Sequence, residues 1–325
     1  MKRIIAIVAG GDTSEYEVSL RSAQGIESFL DKDKYIPYIV VLHGTDWHVQ
    51  LPGGGTAPID RNDFSFTYNG QKTSFDYAYI IIHGTPGEDG RLQGYFDMLR
   101  LPYSGCGVLA SSLTYDKFVC NQFLKGFGVR IADSLLLRRG QSISDEDVVQ
   151  KIGLPCFVKP NLGGSSFGVT KVKTPAQIQP AIAKAFAEAS EVLVEAFMQG
   201  TEITCGCYKT GRSAAVFPIT EVVSHHEYFD YDAKYCGDSD EITPARIPDE
   251  LRDRVQKLTS AIYDIVGAKG IIRVDYIITE GTKINLLEVN TTPGMTATSF
   301  IPQQVRAAGL ELKHVLTDII EDSFL

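Results

Sequence analysis

The 325-residue sequence predicts an α/β protein of more than one domain, and three observations lead there. Short apolar runs of strand length alternate with longer stretches of helical period, the pattern of sheets covered by helices. The chain is too long for one comfortable core. Toward the C-terminus the alternation gives way to two paired β-rich runs, Arg273-Val-Asp275-Tyr-Ile-Ile and Asn285-Leu-Leu-Glu288-Val-Asn290, joined by a turn around Gly281.

Taken in order, residues 4–8 predict a buried parallel strand, Gly10-Gly11 a turn, and residues 17–30 a helix. Further strands follow over 35–42 and 77–82, the second ending at His83-Gly84. In such α/β units ligands bind at the C-terminal ends of the strands. Residues 48–75, rich in Gly, Pro, Asp and Asn, read as turns with a short hairpin. The pattern changes after Pro102. A helix over 114–127 and another over 145–152 precede a strand at 156–160, a glycine-serine loop at 161–166 and a returning strand at 168–172. A helix over 175–189 and strands at 191–197, 201–208 and 214–223 come next. A polar, aromatic-rich loop spans 224–244; the helix 249–266, the hairpin and a last helix over 310–321 close the chain. Three units result: 1–105, 106–197 and 198–325.

Hydrophobic residues make up 44% and charged residues 22%, a soluble globular composition. The net charge of −9 argues against nucleic acid or an anionic membrane as partner. An anionic substrate must therefore meet a local cluster of cations. No run is long enough to cross a bilayer, and acids follow the first apolar run at once, so a strand is expected there and not a signal peptide. The six cysteines show no CxxC spacing and the six histidines no HExxH, which fits reduced thiols in a cytoplasmic protein.

The hairpin carries the strongest chemistry. Glu288 and Asn290 are two apart, so on a strand they share a face. With Asp275 from the neighbouring run they offer hard oxygen donors, which suit Mg²⁺ or Mn²⁺ completed by substrate phosphates. Arg273 adds a fixed positive charge on the same face. A polar, solvent-facing side is the plain alternative, but the abrupt stop at Pro293-Gly294 makes it the weaker one. Asn161-Leu-Gly-Gly-Ser165-Ser166-Phe-Gly168 can converge backbone N–H groups and hydroxyls on a phosphate, with Lys159 upstream as a point charge. The same run also reads as a plain hairpin, and it is neither a Walker A loop nor a dinucleotide fingerprint. His83-Gly-Thr-Pro-Gly-Glu88-Asp89-Gly90 suits a substrate loop, although His83 alone reads more often as a structural histidine. Gly10-Gly11-Asp-Thr-Ser-Glu15-Tyr-Glu17-Val-Ser19 reads as a helix start with acids at the positive end of the dipole.

Together these segments, with Leu101-Pro-Tyr-Ser-Gly-Cys-Gly, Asp116-Lys117 and Phe229-Asp-Tyr-Asp-Ala-Lys234-Tyr235, resemble an ATP-grasp enzyme, and within that superfamily the D-alanine–D-alanine ligases. They recur in family order from residue 10 to about 302. The resemblance implies an ATP-grasp fold behind an N-terminal Rossmann-like domain, a cytoplasmic homodimer, and ATP with two Mg²⁺ or Mn²⁺ ions.

Position by position, it assigns Lys117, Lys159, Ser166 and Lys234 to ATP phosphates. Glu195, Phe197 and Met198 would meet the adenine edge and Glu202 the ribose. Asp275, Glu288 and Asn290 would hold the metals. Glu17 and His83 would receive the first D-alanine, with Ser165 and Tyr235 linked to Glu17 by hydrogen bonds. Arg273 and the Gly294 N–H would form the oxyanion hole, and Ser299 with Phe300 would hold the second D-alanine. The aromatic-rich loop would act as a lid over the reacting centre. Three positions depart from the family's habit: Tyr16 replaces a basic residue or histidine, Phe197 a tryptophan and Phe300 a leucine. A D-alanine–D-lactate ligase, another carboxylate–amine ligase and a non-catalytic nucleotide-binding relative are the other readings. The retained metal ligands, lysines and Arg273 disfavour the last, and Tyr235 favours an amine acceptor.

Overall fold

The computed structural model of the protein describes residues 2–164, 168–224 and 239–325. The first sheet contains β1 (Arg3–Gly10), β2 (Tyr35–His43), β3 (Asp46–Gln50), β4 (Thr56–Asp60), β5 (Ser65–Tyr68), β6 (Gln71–Ser74) and β7 (Tyr77–Ile80), in the order β6-β5-β4-β3-β2-β1-β7. β1 pairs in parallel with β2 and β7; the strands from β2 to β6 pair antiparallel. The region expected to hold turns and one short hairpin thus carries four strands. Its glycines occupy the turns between them, while Val49, Ala57, Ile59 and Phe66 bury one face.

Side chains of β1 alternate between two cores, as a strand buried on both faces requires. Ile5, Ile7 and Ala9 meet helix α1 (Tyr16–Phe29) and, from the far end of the chain, α9 (Leu312–Asp322). Ala6 and Val8 meet α2 (Arg91–Leu99). Gly25 of α1 allows the closest approach: a Cβ there would lie 2.2 Å from the Met295 carbonyl oxygen. The N-terminal sheet is therefore packed against the segment that leaves the hairpin.

The single helix expected over 114–127 is two, α3 (Val108–Tyr115) and α4 (Lys117–Lys125). Asp116 breaks them: its backbone is extended and its carboxylate accepts from the Val119 N–H at 2.9 Å, an N-cap that restarts the helix. Both helices pack beside the hairpin, in the core that contains Cys106, Ala110, Cys120 and Leu124.

The second sheet has the order β10-β9-β11-β8, from β8 (Ser134–Arg138), β9 (Cys156–Pro160), β10 (Thr170–Val172) and β11 (Glu191–Ala196). Helices α5 (Asp145–Lys151) and α6 (Ile178–Glu188) belong to its core through Val148, Ile178, Ala181 and Ala185. The third sheet, among the described residues, runs β15 (Ser239–Ile242), β14 (Thr220–Ser224), β12 (Gly200–Lys209), β16 (Gly270–Thr279), β17 (Lys283–Asn290), with β13 (Ala214–Val216) on β12. Helix α7 (Asp249–Ile265) buries Leu251, Val255 and Ile262 against it, the helical spacing that its sequence shows. Helix α8 (Phe300–Ala307), absent from the sequence reading, follows the hairpin.

Candidate functional site

A cavity of about 1480 Å³ opens where the three sheets meet. The loops after β1 and β7 enter from one side, β9 and β11 from a second, and β16 and β17 from a third. β1 lies between β2 and β7, so both loops leave its end of the sheet at a point where strand order reverses, the place such sheets bind ligands.

At the hairpin, register does what the two-residue spacing predicts. Asp275 pairs with Glu288 and Arg273 with Asn290, and all four line the cavity. The Arg273 guanidinium grips Asp275 with two contacts, Nε to Oδ1 at 2.9 Å and Nη2 to Oδ2 at 2.7 Å. It lies 3.9 Å from Glu288, and Lys117 Nζ lies 3.6 Å from the same carboxylate. Lys117 also donates to the Gly163 carbonyl at 2.5 Å, which ties Gly163 to the hairpin's acids. The acids are largely buried and survive there because cations sit beside them. Among the described residues no three side chains of the His, Cys, Asp or Glu kinds converge as a ready metal cage. The donor set is two carboxylates and the Asn290 amide oxygen, which accepts from the Thr292 N–H at 3.0 Å. Such hard oxygens, few in number, fit a magnesium-like ion that completes its shell with phosphate.

In the second sheet Lys159 and Glu195 form a buried pair at 2.7 Å, on neighbouring strands and both lining the cavity. Phe197, Met198 and Glu202 line the same end. Lys171 stands 4.0 Å over the Phe197 ring, and Phe157 packs beside it at 5.9 Å between centroids, an aromatic shelf.

On the N-terminal side His83 is buried, its Nε2 3.3 Å from the Ser22 hydroxyl. Burial lowers its pKa, and the charge of Glu15 opposes that shift. Glu88, two residues before the end of the same loop's motif, accepts from the Gly84 N–H at 2.6 Å. Burial, reinforced by the nearby Glu15 charge, pushes its carboxyl up to about 8.

Glu17 is placed differently from the expectation. It is exposed in the first turn of α1 and does not line the cavity, whereas Glu15 is buried and does. The reason is the helix. A step of two keeps one face of a strand but turns through about 200° on a helix, so Val18 and Ser22 face inward and Glu17 outward. Glu15 precedes the first turn and points toward Gly164, whose Cβ would fall 2.7 Å from its Oε2. The motif held both glutamates; the helical phase separated them. Glu88 carries no role of its own in the sequence reading, although its place in the motif that follows a buried strand was the available signal.

Gly294 and Ser299 line the far side, next to one another: a Cβ on Gly294 would lie 3.1 Å from the Ser299 Oγ, which accepts from the Thr296 N–H at 3.1 Å. Phe300 opens α8 with its ring 5.4 Å from the Arg273 guanidinium carbon. Ser165, Ser166, Lys234 and Tyr235, with most of the expected lid, lie outside the described residues.

Comparison with known proteins follows the same outline. The family model "D-ala D-ala ligase N-terminus" matches residues 4–106, and "D-ala D-ala ligase C-terminus" matches residues 123–321. The chain is 76% identical over 324 residues to a D-alanine--D-alanine ligase of Bacteroides fragilis, covering all of both chains. Among solved structures, the VanG D-Ala:D-Ser ligase of Enterococcus faecalis is 29% identical with a TM-score of 0.87, covering 99% of this chain and 100% of that one. A D-alanine--D-alanine ligase of Bacillus anthracis complexed with ATP is 28% identical with a TM-score of 0.77, covering 99% and 97%.

Proposed function

The chain belongs to the D-alanine–D-alanine ligase family, and on that premise we propose how its residues divide the reaction. It is an ATP-dependent enzyme of the ATP-grasp fold that joins two D-alanines for peptidoglycan synthesis. The observation that carries the division of labour is the position of Arg273, with the oxygen donors Asp275, Glu288 and Asn290 beside it and Gly294, Ser299 and Phe300 in the same cavity.

Forming a peptide bond between free amino acids is uphill in water, so one carboxylate must first be activated. ATP's γ-phosphate passes to the carboxylate of the first D-alanine, giving an acyl phosphate and ADP. Both partners are anions, and Lys117, Lys159 and Arg273 offset their repulsion. Asp275, Glu288 and Asn290 would hold two Mg²⁺ or Mn²⁺ ions, which would supply further charge neutralisation for the phosphoryl oxygens. Glu15, in the role expected of Glu17, pairs with the ammonium of the first D-alanine, beside His83. The aromatic shelf of Phe197 with Met198 receives adenine, Glu195 and Glu202 its edge and ribose.

The neutral amine of the second D-alanine, held by Ser299 and Phe300, then attacks the acyl carbon. The C–N bond forms, the oxyanion falls on Arg273 and the Gly294 N–H, and phosphate leaves with the C–O bond electrons. Ser165, Ser166, Lys234 and Tyr235 complete this reading from the family resemblance, as does a cytoplasmic homodimer. No described helix is long and apolar enough to cross a membrane.

The test is phosphate release from ATP and Mg²⁺ across D- and L-alanine, D-serine and D-lactate, with products identified by mass. D-alanine alone should release phosphate and yield the dipeptide. Preferential joining of D-serine or D-lactate as second substrate would replace this acceptor assignment, D-serine being the reading that the VanG relative's name suggests.

A further inference from the structure

We propose that Glu241 and Gln303 form a positioning pair for the acceptor end of the cavity, holding the segment that presents Ser299 and Phe300. The inference rests on the reading that these two residues receive the second D-alanine.

Glu241 stands on β15 in register with Val222 of β14, and Phe300 packs against Val222. The Gln303 side-chain amide donates twice, to Glu241 Oε2 at 2.5 Å and to the Thr298 carbonyl at 2.6 Å. Thr298 immediately precedes Ser299, and the Gln303 backbone N–H donates to the Ser299 carbonyl at 3.2 Å. One residue of α8 thus joins a strand of the third sheet, through its side chain, to Thr298 and, through its backbone, to Ser299. Glu241, Thr298, Ser299 and Phe300 all line the cavity.

The pair is not what docks the helix. Its neighbour Gln304 is fully buried and does that: it accepts from the Gly206 N–H at 2.9 Å and donates to the Thr204 carbonyl and the Thr220 hydroxyl, each at 3.0 Å. With α8 anchored by Gln304 on β12, the second bond at Gln303 has a local consequence. It fixes the loop from Thr296 to Ser299 relative to Arg273, whose charge acts on Glu241 and whose guanidinium sits over Phe300. A half-buried acid in a substrate cavity otherwise stays with water; burial raises the Glu241 pKa, and the amide of Gln303 offsets that cost.

Gln303→Leu removes both donors while preserving size, Glu241→Ala removes the acceptor, and Glu241→Gln keeps an oxygen acceptor without charge. Acyl-phosphate formation on the first D-alanine is read by hydroxylamine trapping, and the acceptor KM from dipeptide formation at saturating ATP. Gln303→Leu and Glu241→Ala should raise the acceptor KM roughly three- to tenfold, with hydroxamate formation and the KM for ATP unchanged. Glu241→Gln should restore an acceptor KM near that of the parent. A parallel fall of both half-reactions would mean a general structural role and overturn the proposal, as would an unchanged acceptor KM or a Glu241→Gln variant no better than Glu241→Ala. Should the parent protein trap hydroxamate but favour an acceptor other than D-alanine, the acceptor reading fails instead, and the KM for that acceptor carries the test of the pair.

Discussion

On the hairpin side of the cavity Asp275 and Glu288 lie beside Arg273 and Lys117, whereas on the N-terminal side Glu88 lies against a backbone N–H and within the charge of Glu15. Both ends bury acids, and they meet the cost of doing so differently. The hairpin brings cations: two basic side chains within 4 Å, arranged so that incoming phosphate and metal can take over as partners. Among the described residues Glu88 has no basic partner of that closeness; the Lys117 charge only opposes the shift, and burial raises its pKa. A charged end suits an anionic, metal-bearing nucleotide. A side with one neutralised acid beside the charge of Glu15 suits the small zwitterion proposed there.

The comparison breaks most visibly at Glu288. Replacing it by Ala leaves Lys117 and Arg273 with less counter-charge and takes away a metal donor that no neighbour supplies. Phosphate release should fall by several orders of magnitude while the far-UV circular dichroism and the melting transition are kept. Near-normal turnover in the folded Glu288→Ala protein would remove the hairpin from the reaction.

The next largest effect sharpens the other end. Glu15→Gln should lower kcat/KM for D-alanine by about a hundredfold, the scale of losing a charge-assisted contact to the substrate ammonium of up to ~3 kcal/mol. Glu17→Gln, on the exposed side of α1, should stay within about twofold. Steady-state kinetics on the pair decides between them. The reverse order would return the ammonium partner to Glu17 and contradict the placement of the two side chains.

That pair also marks how far the sequence could be read. The hairpin was legible because its period of two is rigid: Glu288 and Asn290 share a face once their run is a strand, and Asp275 joins them because it pairs with Glu288. Glu15 and Glu17 sit at the boundary where period two becomes 3.6, and a shift of one turn start decides which of them is buried. Of the four strands from β3 to β6 only a short hairpin was legible, since strands of four or five residues between Gly- and Pro-bearing turns, buried on one face, carry little apolar signal. Asp116 looked like a mid-helix residue and is a cap. Helix α8 was missed because Pro302 reads as a breaker, yet in the first turn its missing N–H costs nothing. The Gln303 contacts join residues 62 positions apart, which no local pattern encodes.

The smallest effect at any one step is a pH dependence, and it tests the N-terminal side directly. The Glu88 carboxyl moves from an ordinary 4.5 in the unfolded chain to about 8 in the folded one. Between these values the folded state binds a proton that the unfolded state lacks, so stability must fall as pH rises. The contribution is fully present below pH 4.5, declines by about 1 kcal/mol per pH unit across the window and levels off above 8. Glu88→Gln keeps the carbonyl acceptor for the Gly84 N–H but cannot ionise, so it should flatten that part of the curve. Urea unfolding of both proteins at pH 5.5, 6.5 and 7.5 (roughly evenly spaced across the window), with EDTA present, measures the difference. The parent should lose stability relative to Glu88→Gln at each step upward. Parallel curves would show that Glu88 gains its proton no more readily than a surface glutamate, and that the N-terminal end manages its acids with cations after all.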